Sequence, residues 1–249
     1  MKKVLLTVLA ALAVVSTGCG NDKSAKPTKP AGPNIAKLVQ AATATQVKQK
    51  SVHMAVTTMV STASQTTHAD LDADFIMKPL QMRGTSQVTG QTQPKPVELY
   101  YDAKHSYLKV GDHWIDASKS MTAMANPAGF AGQLRGDQIK AIPQSALKQA
   151  KLKRTKATDT VTMGFTGKRA KAIWTQGQQA QAGAGSDSQL KQTSIKKLHY
   201  QLVIDRASQL PQQYQLRITV KRQGQTIDEL ITITYANWGK VTITTPDLK

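Results

Sequence analysis

The stretch SVHMAVTTMVSTASQTTHADLDADFIM, residues 51–77, decides the fold. Val52, Met54, Val56 and Val60 fall at alternate positions among mostly polar neighbours, and Leu71, Ala73, Phe75 and Met77 alternate with Asp70, Asp72 and Asp74. A period of two is that of a β-strand with one face buried and the other in water. Three aspartates at spacing two therefore face solvent together.

Working outward, the same pattern predicts strands at Leu80–Thr89, Val97–Ala103, Ser106–Val110, Thr158–Phe165, Ser194–Asp205, Gln212–Arg222, Thr226–Tyr235 and Val241–Thr245. Gly111-Asp112 and Gln223-Gly224 supply tight turns. Upstream, Asn34 is placed to cap a helix whose apolar stripe is Ile35, Leu38, Val39 and Ala42. Between the two groups of strands, Ser118–Lys153 and Gly167–Ala182 are rich in Ala, Gln and Lys and predict helix, the first broken by Pro127, Gly129, Gly132 and Pro143. Gly183–Ser188 reads as a flexible loop, and no period of a solenoid or propeller is present. The expected class is α+β: an antiparallel sheet with one apolar and one polar face, the apolar one needing a helical cover.

The amino terminus carries no fold element. Lys2 and Lys3, the apolar run Val4–Val15 and the small residues Ser16, Thr17 and Gly18 form a signal peptide over residues 1–18. The run is shorter than the ~20 residues of a spanning helix. Cys19, the only cysteine, follows where a lipoprotein signal peptidase would cut, and the segment resembles the bacterial lipobox, with Ser16 where Leu is usual. Cys19 is thus the expected site of lipidation, anchoring the chain at the outer face of the bacterial cytoplasmic membrane. Residues 19–33 hold Lys23, Lys26 and Lys29, three prolines and no large apolar side chain, the composition of a disordered tether. Residues 34–249 form the single expected domain.

The formal charge of +18 on 249 residues, or +16 once Lys2 and Lys3 are removed, favours anionic partners. Export and the lack of an aromatic-studded basic motif turn that preference away from nucleic acid and toward anionic headgroups or wall polymers. The chemistry of catalysis finds no support. Asp70, Asp72 and Asp74 lack the glycine and glutamate of a calcium loop, with Phe75 and Gln81 in those places. Ser-x-x-Lys occurs at Ser145/Lys148, Ser188/Lys191 and Ser194/Lys197 without its companion motifs, as chance provides in a lysine-rich chain. His53, His68, His105, His113 and His199 are scattered as surface histidines are. No metal, no cofactor and no enzymatic activity is expected.

Tyr100-Tyr101, Tyr107-Leu108 and Trp114 around a hairpin, Tyr200–Ile204 leading into Asp205-Arg206 and Leu210-Pro211, and a closing Thr245-Pro246 carry a family likeness. The chain resembles Gram-positive lipoproteins of the LolA/LppX-like superfamily over nearly all of its mature length. Asp116 departs from the basic residue common there. The resemblance implies a strongly curved antiparallel sheet, an incomplete barrel, with helices covering its concave face and an acyl chain or other lipid held between them. On this basis the expected function is a cell-surface lipoprotein that binds a lipid or other hydrophobic ligand non-covalently, as carrier, sensor or chaperone. Met54, Val56, Leu71, Phe75, Met77, Leu99, Tyr101, Leu216 and Ile218 would line the face, and Met121, Met124, Phe130 and Leu134 a lid over it. The competing reading is a membrane-anchored interaction module with a packed core, docking on a protein complex or an anionic wall polymer.

Overall fold

A computed structural model describes residues 34–89, 95–102, 104–118, 132, 134–140, 142–181 and 194–247. Asn34 begins the fold by accepting the Lys37 amide on its side chain (3.1 Å), which satisfies one of the open donors of helix α1, Ile35–Val47. Eleven strands follow: β1 Ser51–Ser61, β2 Thr66–Met77, β3 Leu80–Thr89, β4 Val97–Tyr101, β5 Ser106–Val110, β6 His113–Asp116, β7 Lys151–Arg154, β8 Thr158–Thr166, β9 Ser194–Asp205, β10 Pro211–Arg222 and β11 Gln225–Ala236. The short helices α2, Asp137–Lys140, and α3, Gln144–Leu147, precede β7, and α4, Gly167–Gln181, separates β8 from β9.

All eleven strands join one open antiparallel sheet in the order β6-β5-β4-β3-β2-β1-β11-β10-β9-β8-β7. Nine of the ten pairings connect strands consecutive in sequence, and only β1 with β11 joins the two groups, in register from His53 opposite Ala236 to Ser61 opposite Asp228. The β10–β11 hairpin turns on Gln223 and Gly224, both at positive φ (51° and 84°), the requirement of the tight turn whose twist matches the strands.

The register sorts side chains onto two faces. One carries Val52, Met54 and Val56 of β1, Leu71, Ala73 and Phe75 of β2, Met82 of β3, Leu99 of β4, and the alternate apolar residues of β8 to β11. Val39 and Ala42 of α1, Ile139 of α2, Ala146 and Leu147 of α3 and Ala170 and Ile173 of α4 share one core with it. Gly84 fits between Ala73 and Leu99 on this face, where a Cβ would stand 2.2 Å from the Asp72 carbonyl oxygen, so only glycine permits the close approach of β2 and β3.

Two expectations fail. Lys151–Lys153, read as part of a helical segment, is the edge strand β7, because Leu152 lies opposite Val161 and hydrogen bonding to β8 outweighs a weak helical preference. Val241–Thr245, read as a strand, pairs with none among the described residues. Its polar groups go elsewhere: the Val241 amide to Ser51 Oγ (3.0 Å), the Thr244 carbonyl to Arg83 Nη1 (2.9 Å) and Thr245 Oγ1 to the Tyr100 hydroxyl (3.3 Å). The segment straps one end of the sheet.

Candidate functional site

The apolar face is not uniformly closed. At the end where β1 begins, Val52, Met54, Ala73, Phe75, Ile233, Tyr235 and Tyr214 are buried. Toward the β1–β2 and β10–β11 hairpin tips, Val56, Val60, Leu71, Ile227, Ile231 and Val220 lie on the same face but are only half-buried.

The nine strand residues singled out in the sequence all share this face. Met54, Phe75, Leu99, Leu216 and Ile218 lie in its buried part, none more than 7% exposed, whereas Val56, Leu71, Met77 and Tyr101 are partly buried against the core. Leu134 is buried in that core, and its carbonyl accepts a hydrogen bond from Gln46 Nε2 of α1 at 3.0 Å. Cys19, Met121, Met124 and Phe130 lie outside the described residues.

Sequence reading missed three tyrosines and two carboxylates on this face. Tyr200, Tyr214 and Tyr235 line adjacent strands, the first two with rings 6.3 Å apart and the third stacked on Trp238 at 5.3 Å. Burial pushes the Tyr200 hydroxyl up to about 12 and that of Tyr214 well above its usual range, so both are neutral and uncharged at any ordinary pH.

Asp159 stands in the inward register of β8, 2% exposed, and Arg154 of β7 grips it through two hydrogen bonds of 2.7 and 2.9 Å, with Arg206 3.9 Å away. The Arg154 hydrogen bonds hold its pKa below the usual carboxylate range, against the opposing pull of desolvation. Glu229 of β11 stands in the same inward register, opposite Val60 of β1 and Ile218 of β10. Burial raises its pKa, and it has no hydrogen bond or ion pair with the described residues. The signal for Glu229 was present in the sequence: it fills a slot of the alternation Ile227, Ile231, Ile233 in which every other occupant is apolar.

Charge divides unevenly along the sequence. Residues 51–116 contain five Lys and Arg against seven Asp and Glu, whereas residues 151–222 contain fourteen against three. In the acidic stretch two of the three aspartates of β2 are not purely solvated: His53 reaches Asp74 at 2.9 Å and Asp72 at 3.6 Å. A polar cleft of about 500 Å³ lies between the hairpin tips, lined by Ser61, Thr62, Ser64, Gln225, Thr226 and Asp228. Asp228 and Thr226 occupy the register opposite to Glu229, so these lining side chains belong to the outer face. Among the described residues no helix is long and apolar enough to cross a membrane.

In chain trace the protein is similar to the crystal structure of LprF from Mycobacterium bovis, at 18% identity over 87% of this chain and 98% of that one, with a TM-score of 0.49. It is similar to lipoprotein LppX from Mycobacterium tuberculosis at 14% identity, covering 86% and 99% of the two chains with a TM-score of 0.45. A LolA-superfamily protein from Nitrosomonas europaea is similar at 8% identity, with 86% and 96% coverage and a TM-score of 0.25. No curated protein matches the chain. One family model matches residues 34–248, from the Asn34 cap past the terminal strap, and the chain accordingly belongs to the family of unknown function DUF6612.

Proposed function

We propose that the protein is an exported lipoprotein, anchored through Cys19 at the outer face of a bacterial cytoplasmic membrane, that binds a lipid or other hydrophobic ligand non-covalently and performs no covalent chemistry. The observation that carries this reading is the graded burial of one continuous apolar face. Its closed end provides the stability of a packed core, and its half-buried end, around Val56, Leu71, Val60 and Ile231, offers apolar area that a chain-like ligand would remove from water at about 25 cal/mol per Å². In this reading α1 and α4, with the residues joining β6 to β7, are the cover over a concave face, as in the LolA/LppX-like architecture. The signal peptide, the single cysteine and the lysine-bearing tether support the membrane location.

A second reading has an observation of its own. The concentration of positive charge in residues 151–222 suits docking on an anionic wall polymer or headgroup layer, with the core merely packed. One measurement separates the two. The chain from Asn34 onward, made without lipid, is weighed by native mass spectrometry before and after solvent extraction. Extractable adduct at stoichiometric level is the outcome expected of a carrier, and a bare polypeptide mass in both spectra rejects it. Cys19→Ser in cells tests the anchor: unprocessed or released protein is expected, and normal processing with full membrane retention refutes lipidation at that residue.

A further inference from the structure

Glu229 is anomalous in this chain. The other carboxylates of the sheet are either matched by basic side chains or hydroxyls or turned to solvent: Asp159 by Arg154, Glu98 by Lys109 (2.7 Å) and Arg83, Asp72 and Asp74 by the His53 ring, and Asp228 by the Thr219 hydroxyl. Of the two carboxylates on the apolar face, Glu229 alone has no partner among the described residues, with Val60 and Ile218 across from it and Ile227 and Ile231 above and below on its own strand. Its immediate chain neighbour Asp228 points to the other face, as do Lys197 of β9 and Asp70 of β2. The charge that shares its face nearest in register is Arg222, exposed at the very end of β10. In a protein with 33 lysines and arginines, a half-buried carboxylate that none of the described cations meets is left with its hydrogen-bonding capacity free at the boundary of an apolar surface.

We propose that Glu229 is the headgroup contact and specificity determinant of the apolar face, selecting amphiphiles that carry a primary ammonium group over neutral ones of the same chain length. The inference rests on the hydrophobic-ligand reading above and adds the class of ligand to it. The alkyl chain lies along Val56, Leu71, Ile231 and Val60, and the ammonium donates to the Glu229 carboxylate where that face meets water. A charge-assisted hydrogen bond in a partly desolvated site discriminates by about tenfold or more. Burial, which disfavours the bare carboxylate, is offset when a cation arrives. Such a preference runs against the field of the whole molecule. At +16 the mature chain repels cationic amphiphiles, so selection for an amine has to come from a local carboxylate.

The experiment uses the full mature chain with Cys19→Ser and titrates it, below their aggregation concentrations and at 0.15 M salt, with dodecylamine and with dodecanol. For the unaltered Glu229 chain the expected result is binding of both, dodecylamine at least about tenfold more tightly. In Glu229→Gln the ratio falls to about one, while dodecanol affinity stays within about twofold. Glu229→Asp, which keeps the charge on a shorter stem, retains part of the preference and controls for any disturbance of the strand. If dodecanol binds but the amine is not preferred, or if the preference survives Glu229→Gln, the inference is overturned and the hydrophobic-ligand reading stands. If neither amphiphile binds any of the three proteins, that reading fails and this inference with it.

Discussion

Two carboxylates share one face of this sheet and meet opposite fates. Asp159, on β8 at the closed end, is clamped by a forked guanidinium and held ionised below its usual pKa. Glu229, toward the hairpin tips, is surrounded by Val60, Ile218, Ile227 and Ile231 and is pushed the other way. The difference is that between a finished core, where the buried carboxylate has been given its guanidinium, and an apolar surface whose carboxylate none of the described cations meets. The first kind of region contributes stability. The second costs stability and is retained for another reason, which the proposal above identifies as recognition.

The sharpest way to break this contrast is to cut side chains from the two ends on a single strand. Phe75 and Leu71 lie four residues apart on β2 and face the same way, but Phe75 is 1% exposed and Leu71 only partly buried. Phe75→Ala is expected to cost about 3–5 kcal/mol in urea unfolding, and Leu71→Ala roughly 1–1.5 kcal/mol. Equal losses would mean that the face is packed alike from end to end.

A smaller effect is expected at the clamp. Arg154→Ala leaves Asp159 buried with Arg206 as the remaining cation among the described residues, at a cost of about 1–3 kcal/mol near neutral pH, less than for a wholly buried pair because Arg154 is itself 44% exposed. Since the folded pKa of Asp159 is depressed, its contribution is complete above the unfolded value of ~3.9 and disappears as pH falls through the lower folded value. The gap in unfolding midpoint between the two proteins should therefore close on acidification. A gap of constant size from pH 7 to pH 2 would show that the pair acts through packing and not charge.

The smallest effect has the opposite sign. Because the folded pKa of Glu229 is raised, the ionised group opposes folding at neutral pH, and the stability it withholds is regained below the unfolded value of ~4.3. Glu229→Gln should stabilise the apo protein at pH 7 by less than about 1 kcal/mol, water at the half-exposed carboxylate screening the rest, and the gain should vanish at pH 3. Destabilisation at pH 7 would reveal that the carboxylate has a structural partner.

Much of this architecture was legible in the sequence because the sheet is built from long hairpins with strict alternation. Leu80–Thr89, Ser106–Val110 and Ser194–Asp205 were read with the bounds they have, and Asn34 signalled the start of α1. Strands shorter than two alternations were not legible: Lys151–Arg154 offers one inward apolar residue, Leu152, and becomes a strand only because β8 is beside it. Conversely, Val241, Ile243 and Thr245 alternate without pairing, since the hydrogen bonds of that segment go to Ser51, Arg83 and Tyr100, contacts that no local pattern encodes. At the candidate site, the apolar residues followed from period alone. Their division into buried and half-buried did not, because it depends on which strands and helices lie above each position.

The order of the strands has a consequence for how the chain folds. With nine sequential pairings, β1 to β6 and β7 to β11 are two groups that each pair strands adjacent in sequence, mostly as local hairpins, with α4 inserted between β8 and β9, and the seam between them, β1 against β11, joins residue 61 to residue 228. Closing so long a loop costs entropy that grows slowly with length but must be spent before the seam's contacts reward it. The docking of β11 on β1 is thus the natural bottleneck of folding. Substitutions in the seam should slow refolding, while substitutions confined to the far meander edges, β6 and β7, should act chiefly by speeding unfolding.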